Sequence, residues 1–227
     1  MQRKSLLATS VMLGGEVRLM KLVLFGATGR IGSHVLRLAL ERRHEVSVLV
    51  RNPAKLPSAL AEHVRVTVGS AADPAAVARA CVGAEAAIVT LAAGNGLLAQ
   101  FDAAALPVFA MQGPRRVVSM VGAAVRMPDD PESMTLGLIT AMMRMVPGGL
   151  LEDAEGHARR LAASGLDWTL VRASNFSSGE PTGRVAVFLG EELPLTASIA
   201  RPDLADFILS TATGGHYCGQ APMKANG

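Results

Sequence analysis

Three glycines spaced three apart, Gly26, Gly29 and Gly32, stand directly behind the apolar run KLVLFG at residues 21–26. Ile31, Val35, Leu38 and Leu36 then recur at helical spacing, so the stretch reads as strand, turn and helix. Each glycine has a job in that setting. Gly26 makes the tight turn out of the strand, Gly29 lets backbone approach a pyrophosphate, and Gly32 allows the helix to pack close to the strand. Thr28 and Arg30 are placed to add phosphate contacts, and the helix amino terminus directs N–H groups and partial positive charge at the same anion.

The rest of the chain repeats the alternation. EVSVLVR (45–51) and HVRVTVG (63–69) are β-branched runs separated by the proline-bearing turn NPAKLPSAL. Asp73 and Pro74 form a helix start before AAVARACVG, and AEAAIVTLAAG supplies a fourth strand. A helix is expected over 97–113, short or kinked because Pro107 lies inside it. RRVVSMVGA (115–123) is a fifth strand, LLEDAEGHARRLAASG a helix closed by Gly165, and LDWTLVR a sixth strand. ARPDLADFILSTA resumes as a helix near Pro202. Strands that are apolar throughout and alternate with helices predict an α/β fold, a doubly wound parallel sheet covered on both faces, in a single domain over 20–227. Residues 124–150 and 173–201 break the rhythm and are expected to be small insertions on the substrate side. Residues 1–19 precede Met20 and the first strand and are expected to be a poorly ordered extension or a mis-assigned start, a secretory signal being the minor reading of the basic head and short apolar stretch.

Charge is unevenly placed. Residues 1–65 hold 11 Lys/Arg against 4 Asp/Glu, and the remainder 11 against 15. A basic amino-terminal part around a glycine turn suits a ligand with several phosphates, although Arg37, Arg42 and Arg43 are explained equally well as a solvated helix face. With one Tyr, one Trp and six Phe there is no basic strip interleaved with aromatics, so direct nucleic-acid binding is not expected. Cys81 and Cys218 lack a CxxC partner, which points to a reducing cytoplasm. The apolar stretch 135–151 contains Arg144, Pro147 and a glycine pair and is too short to span a bilayer, so no membrane partner is expected. The five histidines are scattered, no HExxH occurs, and no metal site is expected.

The end of the second strand decides between cofactors. An NAD-selective turn places an acid there for the ribose hydroxyls, whereas LVRNPAK has Arg51, with Lys55 four residues on. Two cations hold a 2′-phosphate, so the sequence favours NADP over NAD.

GATGRIG, VLVRNPAKLP, GSAADPAAV, SGLDWTLVRASNF and ASIARPDLADFIL, taken in order, resemble the atypical short-chain dehydrogenases/reductases. Within them the chain is similar to the NAD(P)H-binding group that includes NmrA-type regulators and the flavin reductase (biliverdin reductase B) type. The likeness runs from Lys21 to Ala212 and implies a Rossmann fold. It also implies that Gly26, Thr28, Gly29, Arg30, Ile31 and Gly32 line the pyrophosphate, Arg51 and Lys55 the adenosine phosphate, and Ser70 and Ala71 the adenine edge. Leu91, Ala92 and Ala93 follow the strand beside the nicotinamide ribose, Ser119 and Met120 close the fifth strand beside the nicotinamide, and Ala173 to Phe176 face the substrate.

The chain departs from that group in ways that bear on chemistry. Its only tyrosine is Tyr217 and no lysine lies between Lys55 and Lys224, so a Tyr-xxx-Lys relay is excluded. Met120 stands where a second hydroxyl is common, and Asn175 where flavin reductases carry a histidine. Ser119 and Asn175 are the candidate catalytic residues; Ser119 orients a carboxamide or substrate oxygen, or is bonded to backbone like other strand-end serines. His157, a lone histidine on a helix, is most simply a surface residue. Met134, Met142, Met143 and Met145 are either an adaptable apolar lid or plain packing at a core or dimer face. Flavins and quinones accept hydride readily and take their proton from water, so the expected activity is NADPH-dependent reduction of such an acceptor by a monomer or homodimer. The alternative is a non-catalytic NADP(H)-sensing regulator acting through a protein partner. A sugar-nucleotide epimerase or dehydratase is disfavoured by the missing tyrosine.

Overall fold

The computed structural model describes residues 18–173, 175–189 and 197–226. Most of the expected extension, residues 1–17, lies outside them. In β1 (Lys21–Phe25), Leu22 and Leu24 join one core cluster and Val23 and Phe25 the other, all buried. Because successive side chains of a strand point to opposite faces, a strand covered on both sides must be apolar at every position.

The chain continues through α1 (Gly32–Glu41), β2 (Glu45–Val50), α2 (Ser58–Ala61), β3 (Arg65–Val68), α3 (Pro74–Cys81), β4 (Ala86–Val89), α4 (Leu97–Met111) and β5 (Arg116–Gly122). It then forms α5 (Met134–Arg144), α6 (Leu150–Ala162), β6 (Asp167–Ala173), β7 (Asn175–Ser177), β8 (Val185–Phe188), β9 (Ser198–Ala200), α7 (Arg201–Gly214) and β10 (Met223–Asn226). Among the described residues the main sheet has the order β3-β2-β1-β4-β5-β6-β10-β8, and β7 pairs with β9 in a small second sheet. Strand order reverses between β1 and β4, the switch point at which ligands bind in sheets of this kind. Residues of α1 and α7 cover one face; α3, α4 and α6 cover the other, where the rings of Phe25, Phe101 and Phe109 meet with centroids 5.0–6.3 Å apart.

Several expectations are corrected. The sheet is not wholly parallel, since β8 runs antiparallel to β10 at the edge. The terminal strand β3 is not buried on both faces. The proline-bearing turn after β2 contains a 3-10 turn at Pro53–Lys55 as well as α2. α4 is not short: it runs 15 residues, Leu97–Met111, with Pro107 inside it. Proline leaves the carbonyl four residues earlier, that of Ala103, without its helical partner, and both residues lie on the exposed side of the helix, where a missing bond costs least. The methionine-rich stretch is itself a helix, α5, with Met143 packed on the core and Met134, Met142 and Met145 exposed.

Candidate functional site

The loops leaving β1, β2, β3, β4, β5 and β6 share the carboxyl edge of the sheet. At the glycine turn Gly26 has φ +92°, and a Cβ there would stand 2.8 Å from backbone and side-chain atoms of Thr90. A Cβ at Gly32 would lie 2.1 Å from the Gly26 carbonyl oxygen. Thr90, the first residue after β4, donates its hydroxyl to the Phe25 carbonyl at 3.1 Å and fixes the turn from below. Gly29 N–H donates to Gly26 O at 2.9 Å, which closes the loop. Ser33 N–H and His34 N–H donate to Gly29 O and Ile31 O at 3.0 Å, and the start of α1 presents neither a capping side chain nor an acid to an approaching anion. Thr28 and Arg30 are exposed on the rim, and Ile31 is buried in the core.

Arg51 follows β2 directly and is exposed, and Asn52 caps the next turn by accepting from Ala54 N at 3.0 Å, which carries Lys55 onto the same exit. Gly69 N–H donates to Val50 O at 3.0 Å and draws the exit of β3 beside that of β2. Ser70 and Ala71 therefore follow next to Arg51, with Ser70 Oγ accepting from Ala72 N at 3.2 Å. Leu91 and Ala93 pack part-buried against the core and Ala92 is exposed.

Ser119 does not close its strand. It lies mid-way along β5, in register with Val89 and Leu170, and is 1% exposed. Its Oγ stands 2.7 Å from His157 Nε2, and His157 Nδ1 stands 2.7 Å from Asp102 Oδ1. A carboxylate only accepts, so Nδ1 carries the proton and, in the neutral ring, Nε2 accepts from the serine hydroxyl. Arg160 Nε donates to the other oxygen of Asp102 at 2.7 Å. His157 is thus 1% exposed rather than a surface residue. A Cβ at Gly156 would lie 2.8 Å from Arg160 Nη1, so this mid-helix glycine clears the path by which Arg160 folds back to Asp102. Asn175, the other candidate, is exposed at the start of β7 and stands apart from this buried chain.

Two further acids shape the site, and sequence reading passed over both. Asp153 on α6 accepts from the amides of Gly94, Leu98 and Ala99 at 2.9–3.0 Å, so the amino terminus of α4 is capped from another helix. Burial raises the Asp153 carboxyl, but these amide bonds outweigh it and hold it below the usual range. Asp130 pairs with Arg172 at the end of β6 and also accepts from Met127 N at 2.7 Å, which ties down the loop after β5. The signal that was present is lone charge on apolar ground: Asp102 is the one charged residue in LLAQFDAAALPVFAM.

Among the described residues no group of three His, Cys, Asp or Glu is arranged to hold a metal ion, and no helix is long and apolar enough to cross a membrane. Three solved structures share the fold. A short-chain dehydrogenase/reductase from Veillonella parvula in complex with NADP has a TM-score of 0.76 at 16% identity, covering 91% of this chain and 94% of its own. ChuY, an anaerobilin reductase from Escherichia coli, has a TM-score of 0.74 at 20% identity, covering 91% and 97%. The oxidoreductase ylbE from Lactococcus lactis has a TM-score of 0.74 at 18% identity, covering 92% and 91%. Residues 26–214, from the first glycine of the turn to the end of α7, match the family described as NAD(P)H-binding, and the chain belongs to that family.

Proposed function

We propose that the protein is an NADPH-dependent reductase that passes hydride to a small conjugated acceptor such as a flavin or a quinone. The observation that carries this reading is the pairing of the uncapped, acid-free start of α1 with Arg51 and Lys55 at the exit of β2. The amides of α1, with Thr28 and Arg30, hold the pyrophosphate. Arg51 and Lys55 take the 2′-phosphate, Ser70 and Ala71 the adenine edge, and Leu91, Ala92 and Ala93 flank the nicotinamide ribose. When bound, the reduced nicotinamide supplies the hydride. The protein's task is then to hold two flat rings in near-attack geometry and keep water from the transfer. Oxidoreductases among the structural relatives support the class, and the anaerobilin reductase supports a conjugated acceptor.

The test is NADPH consumption by purified protein with and without FMN, riboflavin or menadione, run beside a fluorescence titration of NADPH. Acceptor-dependent consumption is expected. Tight stoichiometric binding without turnover would instead favour an NADP(H) sensor acting through a protein partner, the reading that the absent Tyr-xxx-Lys pair keeps in view.

A further inference from the structure

We infer that the exposed face of α5 is a docking surface for α5 of a second copy of this chain, the two helices lying antiparallel about a two-fold axis. Of the twelve large apolar side chains exposed among the described residues, five lie within 134–146: Met134, Leu138, Met142, Met145 and Val146. The helix is two-sided. Thr140, 6% exposed, and Met143, packed on the core, hold it to the body of the protein. At 3.6 residues per turn Met134, Leu138, Ala141 and Met145 fall within about 60° of one another on the opposite side, where Met134 and Met145 are 96% and 84% exposed. A contiguous apolar stripe of this kind marks an interaction surface, whereas single exposed apolar residues do not.

A two-fold interface is one surface meeting itself, so the stripe must complement its own reverse. With the axis between residues 139 and 140, Met134 falls opposite Met145 of the second copy, Leu138 beside Met142, and Gly137 beside Ala141. A Cβ at Gly137 would meet nothing within 4 Å, so that flank is open, and the small pair lets the two backbones approach. Charge reverses in the same way. Glu132 is exposed just before the helix, Arg144 ends it with its side chain 57% exposed, and no acid lies between them. In the antiparallel pair Arg144 comes level with residue 135 of the second copy, about 5 Å along the chain from Glu132. Each helix start then lies beside the other's end, as the helix dipoles favour. The contact of Arg144 with Glu155 of its own α6, at 3.6 Å, is longer than a hydrogen bond. A lipid surface is a poorer match, because helices that lie among headgroups are rich in Lys and Arg, and Arg144 is the one cation of α5. One helix about 17 Å long on another buries less than the about 800 Å² per partner of a standard interface, so the association is weak, with a dissociation constant on the order of 10 µM.

Sedimentation of the full chain between about 1 µM and about 200 µM tests this, and its outcome is independent of any reductase activity. The mass is expected to move from one chain toward two as concentration rises. Leu138→Glu, a change at an exposed position, is expected to melt as the wild type does at about 1 µM and to remain a single chain throughout. Arg144→Glu is expected to weaken association roughly tenfold, and Arg144→Glu combined with Glu132→Arg to restore it. Wild-type protein that stays a single chain at the highest concentration overturns the inference; if it then co-sediments with phosphatidylglycerol vesicles and Leu138→Glu does not, the face belongs to lipid. A dimer that Leu138→Glu leaves intact overturns it as well, and a double variant that fails to recover overturns the antiparallel pairing.

Discussion

Arg172 and Asp130 meet as a two-point pair beneath the loop after β5: Nη2 donates to Oδ1 at 2.7 Å and Nη1 donates to Oδ2, with side chains 2% and 3% exposed. The same guanidinium donates to Val125 O at 3.1 Å and Ala221 O at 2.9 Å, so one side chain ties that loop and the segment before β10 to the sheet. Removing one partner of a buried pair leaves the other charge uncompensated, which costs about 3–5 kcal/mol. Arg172→Met is therefore expected to lower the thermal midpoint by at least about 6 °C in a chain of this size. A loss of only a degree or two would mean the loop is held by other contacts.

Acid sensitivity follows from three carboxylates. In Asp130, Asp153 and Asp203 burial raises the carboxyl, yet hydrogen bonds from Arg172, from the α4 amides and from Thr182 respectively prevail and leave each below its ordinary value. A depressed carboxyl contributes stability that is complete above its unfolded value of 3.8 and is lost as pH falls through the lower folded one. Urea midpoints should therefore hold steady from neutral pH to about pH 5 and fall steeply below about pH 4. Asp203→Asn should flatten that fall, because Asp203 also gathers Thr182, Gly183 and Asn226 around the start of α7. An unaltered acid limb in that variant would remove Asp203 from the account.

The second and third glycines of the turn should separate folding from binding. A Cβ at Gly32 meets backbone at 2.1 Å, which only a shift of α1 relieves, so Gly32→Ala is expected to cost about 2–3 kcal/mol. A Cβ at Gly29 meets the Gly26 carbonyl oxygen at 3.1 Å and the Thr90 carbonyl oxygen at 4.0 Å, a far milder contact. Gly29→Ala should melt within a few degrees of wild type and still bind NADPH roughly tenfold more weakly, because the added methyl intrudes where the pyrophosphate approaches. Calorimetry beside a binding titration tests the contrast; equal effects of both substitutions on stability would refute it.

On the proposed reading, cofactor choice rests on Arg51. Arg51→Asp is expected to weaken NADPH binding by roughly a hundredfold while changing NADH binding little, since a charge-assisted phosphate contact is worth about 2–3 kcal/mol. An equal loss for both cofactors would take Arg51 out of the phosphate site.

What the sequence made legible was local. The apolar runs, the glycine turn and the Asp73 cap, whose carboxylate accepts from Ala75 N at 2.9 Å, depend on neighbours a few residues away, and each appears near where its pattern places it. Pro107 misled because propensity is blind to exposure: only the fold shows that Ala103 and Pro107 lie on the exposed side of the helix. Ser119, Asp102 and His157 were illegible as a group because 38 and 55 residues separate the bonded partners. His157 looked like a surface residue because a helix presents a histidine to solvent or core with the same letters. The Met-rich α5 and the short strands β7 to β10 carry little periodic pattern of their own, and neighbours distant in sequence give them their form.

The placement of β10 sets an order of assembly. The strands β1 to β6 find their sheet partners among residues already made, but β8, at 185–188, pairs among the described residues only with β10, at 223–226. While the chain emerges from the ribosome, β6 must present a bare edge and β8 must wait. For that interval the nascent protein carries two unsatisfied strands at that end of the sheet, the state in which such edges recruit one another between molecules. Synthesis past residue 226 completes the sheet and removes that hazard.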